Sequence, residues 1–317
     1  MKKQHSTAII AAMAVFSIAL LAGCRELPGK EAADNQLEQS ISGTFKQDAA
    51  EAVKQGLSNA TVAVGDVVQH TTDMVQDTIN ENGISREFST SLPADSASLL
   101  KLDNALGEVV VMPASGDEIA VKATVIVHEQ PGHKLVSGVL DHAEVSIEHK
   151  GDALIVSTHS TDNTKKSLWD WAQKKYGDSN FSINYVIELP DTVGKFEIDN
   201  NVGTVQIRGL EGTFDINSNV GSIILQDSVI TGKSSVESNT GSIELAISGM
   251  DKGSSLKAKS NIGTITADLA DLMKCTVKAR SELGDISGVV SGEENDFNGG
   301  GPLVSLSTEI GAISVNP

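Results

Sequence analysis

Residues 195–249 read KFEIDNNVGTVQIRGLEGTFDINSNVGSIILQDSVITGKSSVESNTGSIELAISG. Gly203, Gly221 and Gly241 each occupy the same place in a recurring local pattern. Gly263, Gly284 and Gly311 extend it, and Gly107 opens an earlier copy. Seven and five residues before the glycine the side chains are mostly apolar: Phe196 and Ile198, Phe214 and Ile216, Leu256 and Ala258, Val277 and Ala279, Val304 and Leu306. Two residues after it stand Val205, Ile223, Ile243, Ile265, Ile286 and Ile313. Polar residues fill the alternate places, so each strand has one face inside and one outside. One copy encloses too little volume to bury its own apolar row; stacked copies cover one another. The chain therefore reads as mainly β, a parallel β-helix or β-solenoid with coils of about 20 residues. The glycine supplies the corner, where a Cβ would resist the backbone conformation.

Position minus two carries Asn201, Asn219, Asn239 and Asn261, then Glu282 and Glu309. Stacked asparagines bond amide to amide, as in cross-β ladders, although asparagine also favours turns on its own account. The two glutamates should end such a ladder by repulsion. Aromatics are only 3% of the residues, against 29 glycines, which suits a thin aliphatic core. Cys275 falls on the inward phase and is expected to be a buried, inert thiol.

Met1-Lys2-Lys3, an apolar run from Ala8 to Ala22 and small residues before Cys24 describe an export signal rather than a spanning helix. Leu21-Ala22-Gly23-Cys24 resembles the lipobox of bacterial lipoproteins. That resemblance implies cleavage to leave an acylated Cys24, a firm membrane anchor. It also implies outer-membrane placement if the host has an outer membrane, because Arg25 stands where an aspartate would signal inner-membrane retention. Use of Cys24 leaves Cys275 alone, so no internal disulfide is expected. A formal charge of −18 argues against nucleic acid as a partner. The expected organisation is a signal peptide over 1–23, a linker over 24–44, a helical stalk over 45–83 and one β domain over 84–317. In the stalk, apolar residues such as Phe45, Ala49, Val53 and Val64 recur at helical spacing.

Within the β domain, Ile119–Val127 and Phe181–Leu189 alternate as strands. Val145–Ser157 reads as a hairpin turning at Lys150-Gly151-Asp152, and residues 131–143 have helical spacing. The run Leu-Lys-Leu-Asp-Asn-Ala-Leu-Gly-Glu-Val over residues 100–109, the strand into Leu189-Pro190 and the repeated Asn-Val-Gly-Ser-Ile corners resemble the adhesin-like DUF4097 domains of bacteria. That resemblance covers roughly 90–317. It implies a β-solenoid on an exported, membrane-anchored envelope protein, with some relatives beside envelope-stress sensing systems, and it brings no catalytic residues.

Two candidate sites follow. If repeats stack in chain order about 4.8 Å apart, Lys257 neighbours Lys278 and Lys259 neighbours Arg280. Such a basic square would attract an anion, an acidic glycan or an envelope phosphate; the alternative is that Glu237 and Glu282 neutralise it. The second is Trp169, Trp171 and Tyr176, beside Lys165, Lys166, Lys174 and Lys175. These rings could form an exposed platform for sugar or protein, or plug one side of the coil stack. Glu293, Glu294 and Asp296 lack calcium-loop spacing and are expected to form a solvated, flexible turn. The histidines share no metal-ligand spacing, and neither cofactor nor metal is expected. The function expected is a non-catalytic, adhesin-like binding or scaffold surface at the envelope. The alternatives are an accessory recognising a protein partner in a regulatory system and, less well supported, an envelope-polysaccharide enzyme. The short tail after Val315 should leave an open coil end for homo-association.

Overall fold

The computed structural model describes residues 83–129 and 131–316. The expected signal peptide, linker and Cys24, and the stalk apart from Gly83, lie outside the described residues. The chain begins with strands β1 (Ile84–Pro93), β2 (Leu99–Leu106), β3 (Val109–Pro113) and β4 (Glu118–Val127), followed by helix α1 (Lys134–Leu140). Next come the hairpin β5 (Ala143–Lys150) and β6 (Ala153–Ser160), then β7 (Asn163–Ser167), helix α2 (Leu168–Tyr176) and β8 (Phe181–Leu189). The repeats follow as β9 (Lys195–Val202) and β10 (Val205–Arg208), β11 (Glu211–Val220) and β12 (Ile223–Ile230), β13 (Lys233–Thr240) and β14 (Ile243–Met250), β15 (Ser255–Ile262) and β16 (Ile265–Leu269). Last are β17 (Cys275–Leu283), β18 (Ile286–Ser287), β19 (Glu294–Phe297), β20 (Leu303–Ile310) and β21 (Ile313–Asn316).

The fold is mainly β, one hydrogen-bonded sheet of 21 strands with two faces. Face A runs β1, β4, β8, β3, β10, β12, β14, β16, β21, β18. Face B runs β5, β6, β2, β9, β11, β13, β15, β20, β17, β19, with β7 antiparallel against the end of β6. Pairing between repeats is parallel, in register except where β12 shifts against β14 after Leu225. Between the faces lie the inward rows: Leu102, Ile198, Ile216, Val236, Ala258 and Leu306 from face B and Val109, Val205, Ile223, Ile243, Ile265 and Ile313 from face A are all at most 3% exposed. Full burial of one such aliphatic side chain stabilises the fold by about 1.5–3 kcal/mol. Phe196 stacks on Phe214, ring centroids 5.0 Å apart. The two helices are capped as their sequences dictate: Ser167 Oγ accepts from Asp170 N at 3.1 Å, and Gly177, at φ 73°, ends α2.

Corner geometry explains the glycine. Gly221 has φ +140°, and a Cβ there would collide with the carbonyl oxygen of Gly203. Gly241 stands in the same relation to Gly221, and Gly263 to Gly241. Beneath this column runs a buried polar row three residues before each glycine. Ser238, Ser260, Thr308 and Ser281 donate to the carbonyls of Gly221, Gly241, Gly263 and Gly311 at 3.4, 3.2, 3.2 and 2.9 Å. These hydroxyls satisfy carbonyl oxygens turned in at the corner, where an unmet acceptor would cost about 1–3 kcal/mol.

Three expectations need correction. The last repeats do not stack in chain order, because β20–β21 inserts between β15–β16 and β17–β18. Direct stacking would have set Lys278 on Lys257 and Arg280 on Lys259; insertion puts Ser305 and Ser307 between them and relieves a like-charge contact. Consequently β21 is an interior strand, and the end predicted for homo-association is not an open edge; the terminal strands are β18 and β19. Finally, Glu294–Phe297 is no flexible turn. It pairs antiparallel with Cys275–Lys278, Asp296 accepts from Thr276 Oγ1 at 2.7 Å, and Asn298 donates to the carbonyls of Asp271 and Met273 at 3.0 and 2.9 Å.

Candidate functional site

Face B turns its alternate side chains outward in rows fixed by strand register. Two rows carry most of the charge. The first passes through Lys101, Glu197, Asp215, Ser235, Lys257, Ser305 and Lys278; the second through Asp103, Asp199, Asn217, Glu237, Lys259, Ser307 and Arg280. Carboxylates gather toward the β2 end and cations toward the β17 end. Partial burial, then the Asp199 carboxylate on the adjacent strand, raises the pKa of Asp103. Hydrogen bonding to Lys257 holds Glu237 below the ordinary carboxylate range.

The four predicted basic residues share one face but form no contiguous square. Lys257 and Lys278 lie two strand spacings apart, roughly 10 Å. Lys257 pairs with Glu237 at 2.7 Å, Lys259 with Glu309 at 3.3 Å and Lys278 with Glu294 at 4.0 Å. Arg280, exposed, makes no ion pair among the described residues. Of the acids expected to neutralise the group, Glu237 does so; Glu309 and Glu294 take the other lysines, because the inserted strand and β19 bring them alongside.

Along the corner runs a third row. Asn219 donates to Asn201, Asn239 to Asn219 at 2.7 Å and Asn261 to Asn239 at 3.0 Å. Every amide points the same way, and the ladder ends at Asn261, because Glu309 in the next place has no N–H to donate.

The aromatic group sits elsewhere, on α2. Trp171 is 6% exposed, meets Tyr176 edge-on at 5.5 Å and lies under Lys175 Nζ at 4.7 Å. Trp169 stacks on Phe181 at 5.4 Å and donates to its carbonyl at 3.2 Å. These contacts are those of a plug, with the rings turned toward the protein. Hydrogen bonding to Asp162 raises the pKa of Lys175, which spends that cation on the fold. A hollow of about 310 Å³ remains between Lys166, Lys174 and Trp171. A wider groove of about 900 Å³ runs along the opposite corner, and its charged lining is Asp117, Asp191, Glu211 and Asp251.

Among the described residues no group of three or more His, Cys, Asp or Glu side chains is placed to hold a metal. No described helix is long and apolar enough to cross a membrane. Cys275 is fully buried, and burial raises its thiol pKa. The buried serine row was missed in the sequence. Its parity was the available signal, because position minus three points inward like minus five and minus seven.

No family model and no curated protein matches the chain. Among solved structures it is similar to a candidate cell adhesion protein from Clostridium sporogenes, at 14% identity and TM-score 0.39, covering 74% of this chain and 99% of that one. A candidate adhesin from Bacteroides fragilis gives 17% identity and TM-score 0.38, covering 73% and 97%. A candidate lipid-binding protein from Parabacteroides distasonis gives 11% and 0.26, covering 75% and 98%.

Proposed function

We propose that this chain is an exported lipoprotein, anchored through Cys24, whose residues 84–317 wind as a parallel β-solenoid. It serves as a non-catalytic, adhesin-like binding surface of the cell envelope, at the outer membrane where the host has one. One observation carries this reading: face B holds its outward side chains in registered rows at a constant strand spacing, a rigid surface suited to an extended partner. Such a face provides pre-set hydrogen-bonding and charged groups, so binding loses little side-chain entropy. An envelope polyanion is the ligand class that Lys257, Lys259, Lys278 and Arg280 would meet, with Arg280 supplying the charge that no acid among the described residues offsets. The export signal supplies the location, and the acidic net charge keeps the body of the protein off anionic lipid.

Isolated envelopes and their purified acidic glycans provide the test. The full chain should sediment with them, and reversing all four charges to glutamate should remove that binding while the circular dichroism spectrum stays unchanged. Equal binding by the reversed chain would refute the assignment of the ligand to this face. Labelling of the chain with a fatty acid, lost in Cys24→Ser, tests the anchor separately.

A further inference from the structure

We infer that face B is self-complementary, and that two copies of this chain pair through it about a two-fold axis lying parallel to the strands between β13 and β15. Such an axis keeps every side chain in its own row and reverses the order of strands. It therefore sets β9 against β17 of the second copy, β11 against β20, β13 against β15 and β2 against β19.

The charges fit this operation row by row. In the first row Lys101 meets Glu294, Glu197 meets Lys278, and Asp215 meets Ser305, from the registers already given. In the second, Asp199 meets Arg280, Asn217 meets Ser307, and Glu237 meets Lys259. In the corner row Asn201 faces Glu282, Asn219 faces Glu309, and Asn239 faces Asn261, so amide donors meet carboxylates. No like charges oppose one another in these rows. Arg280, which makes no ion pair among the described residues, receives the Asp199 carboxylate, which crowds that of Asp103 on the adjacent strand.

The area is sufficient. Eight strands at their ordinary spacing, over the span of four outward rows, offer roughly 800 Å² per copy, which is about what each partner of a specific interface buries. The contact is isologous and closes at two copies. Because it is polar and charged, it should weaken with salt. It requires no envelope ligand and competes with the envelope-binding role, since pairing covers the same cations.

Sedimentation of the full chain in mild detergent, with Cys24→Ser throughout, is the experiment. Wild type should form a dimer that dissociates at high salt. Asp199→Lys alone and Arg280→Glu alone should each weaken it by about tenfold or more, from repulsion at two symmetric contacts. Mixing these two variants should restore association as a heterodimer, because each mutated residue then faces its opposite charge. A wild type that stays monomeric at high concentration, or variants that associate unchanged, would overturn the pairing; so would a mixture that fails to associate. As a second measurement, Asp199→Cys with Arg280→Cys in one chain, treated with a bifunctional thiol cross-linker about 10 Å long to span the facing sheets, should give a covalent dimer. The two positions lie five strands apart in one copy, roughly 24 Å, beyond the reach of that linker; absence of that dimer also overturns the pairing. A monomer that binds polyphosphate through Arg280 would uphold the anion reading and sink this one.

Discussion

Replacing Gly241 with alanine tests the corner column, the feature on which the repeat depends. At φ +144° the backbone lies where an L residue is strained, at a cost of about 1–3 kcal/mol. The added Cβ also runs into the carbonyl of Gly221, so the two strands must part locally. Parting them stretches the bond from Gly221 N to the Thr240 carbonyl, 2.9 Å, and that from Ser238 Oγ to the Gly221 carbonyl, 3.4 Å. Each is worth about 1 kcal/mol net. The expected loss is therefore about 3–5 kcal/mol, a large share of the 5–15 kcal/mol typical of a domain. Gly116→Ala is the control: a Cβ there meets nothing within 4 Å, and the change should stay within about 0.5 kcal/mol. Urea unfolding followed by tryptophan fluorescence reads both, because Trp171 is buried. Equal midpoints for the two variants would refute the stacked-corner account.

Asn239→Ala removes one amide bond on each side of the ladder and should cost about 1–3 kcal/mol in urea unfolding, from two bonds at about 0.5–1.5 kcal/mol each; an unchanged midpoint would mean that the ladder is ornamental to stability. Asp103 is favoured in its protonated form on folding. Stability should therefore fall as pH rises from the ordinary aspartate range through its raised value. Asp103→Asn should then unfold later than wild type at neutral pH and match it at acid pH below that range; a gap of constant size would refute the assignment. In a Cys24→Ser background, Cys275 should react with a thiol reagent only as the protein unfolds, since it is fully buried; rapid labelling of the native chain would show that the β17 end opens.

The corner glycines, inward rows, asparagine ladder, hairpin and short helices were all legible, because each is a local signal of period two, period 3.6 or turn chemistry. The stacking order of the last repeats was not. Leu256 and Ala258, Val277 and Ala279, and Val304 and Leu306 present nearly the same inward pattern, so burial alone accepts either order. The discriminating signal was electrostatic and lay on the outside, in the clash that chain order would give between Lys257 and Lys278. The serine row was half legible: its parity is inward, but its partners are glycine carbonyls of the neighbouring repeat and exist only once repeats are stacked. The tryptophans were open to two readings from the sequence; their orientation, with Trp169 on Phe181 and Trp171 buried, is visible only in the folded chain.

By itself, then, the sequence determined a repeated strand and corner with a thin aliphatic interior, because alternation and glycine act over a few bonds. The tertiary structure alone decided which strand lies beside which. That choice set the partners of Lys257, Lys259, Lys278 and Arg280, because charges on a sheet interact with the neighbours that stacking gives them and not with those next in the chain.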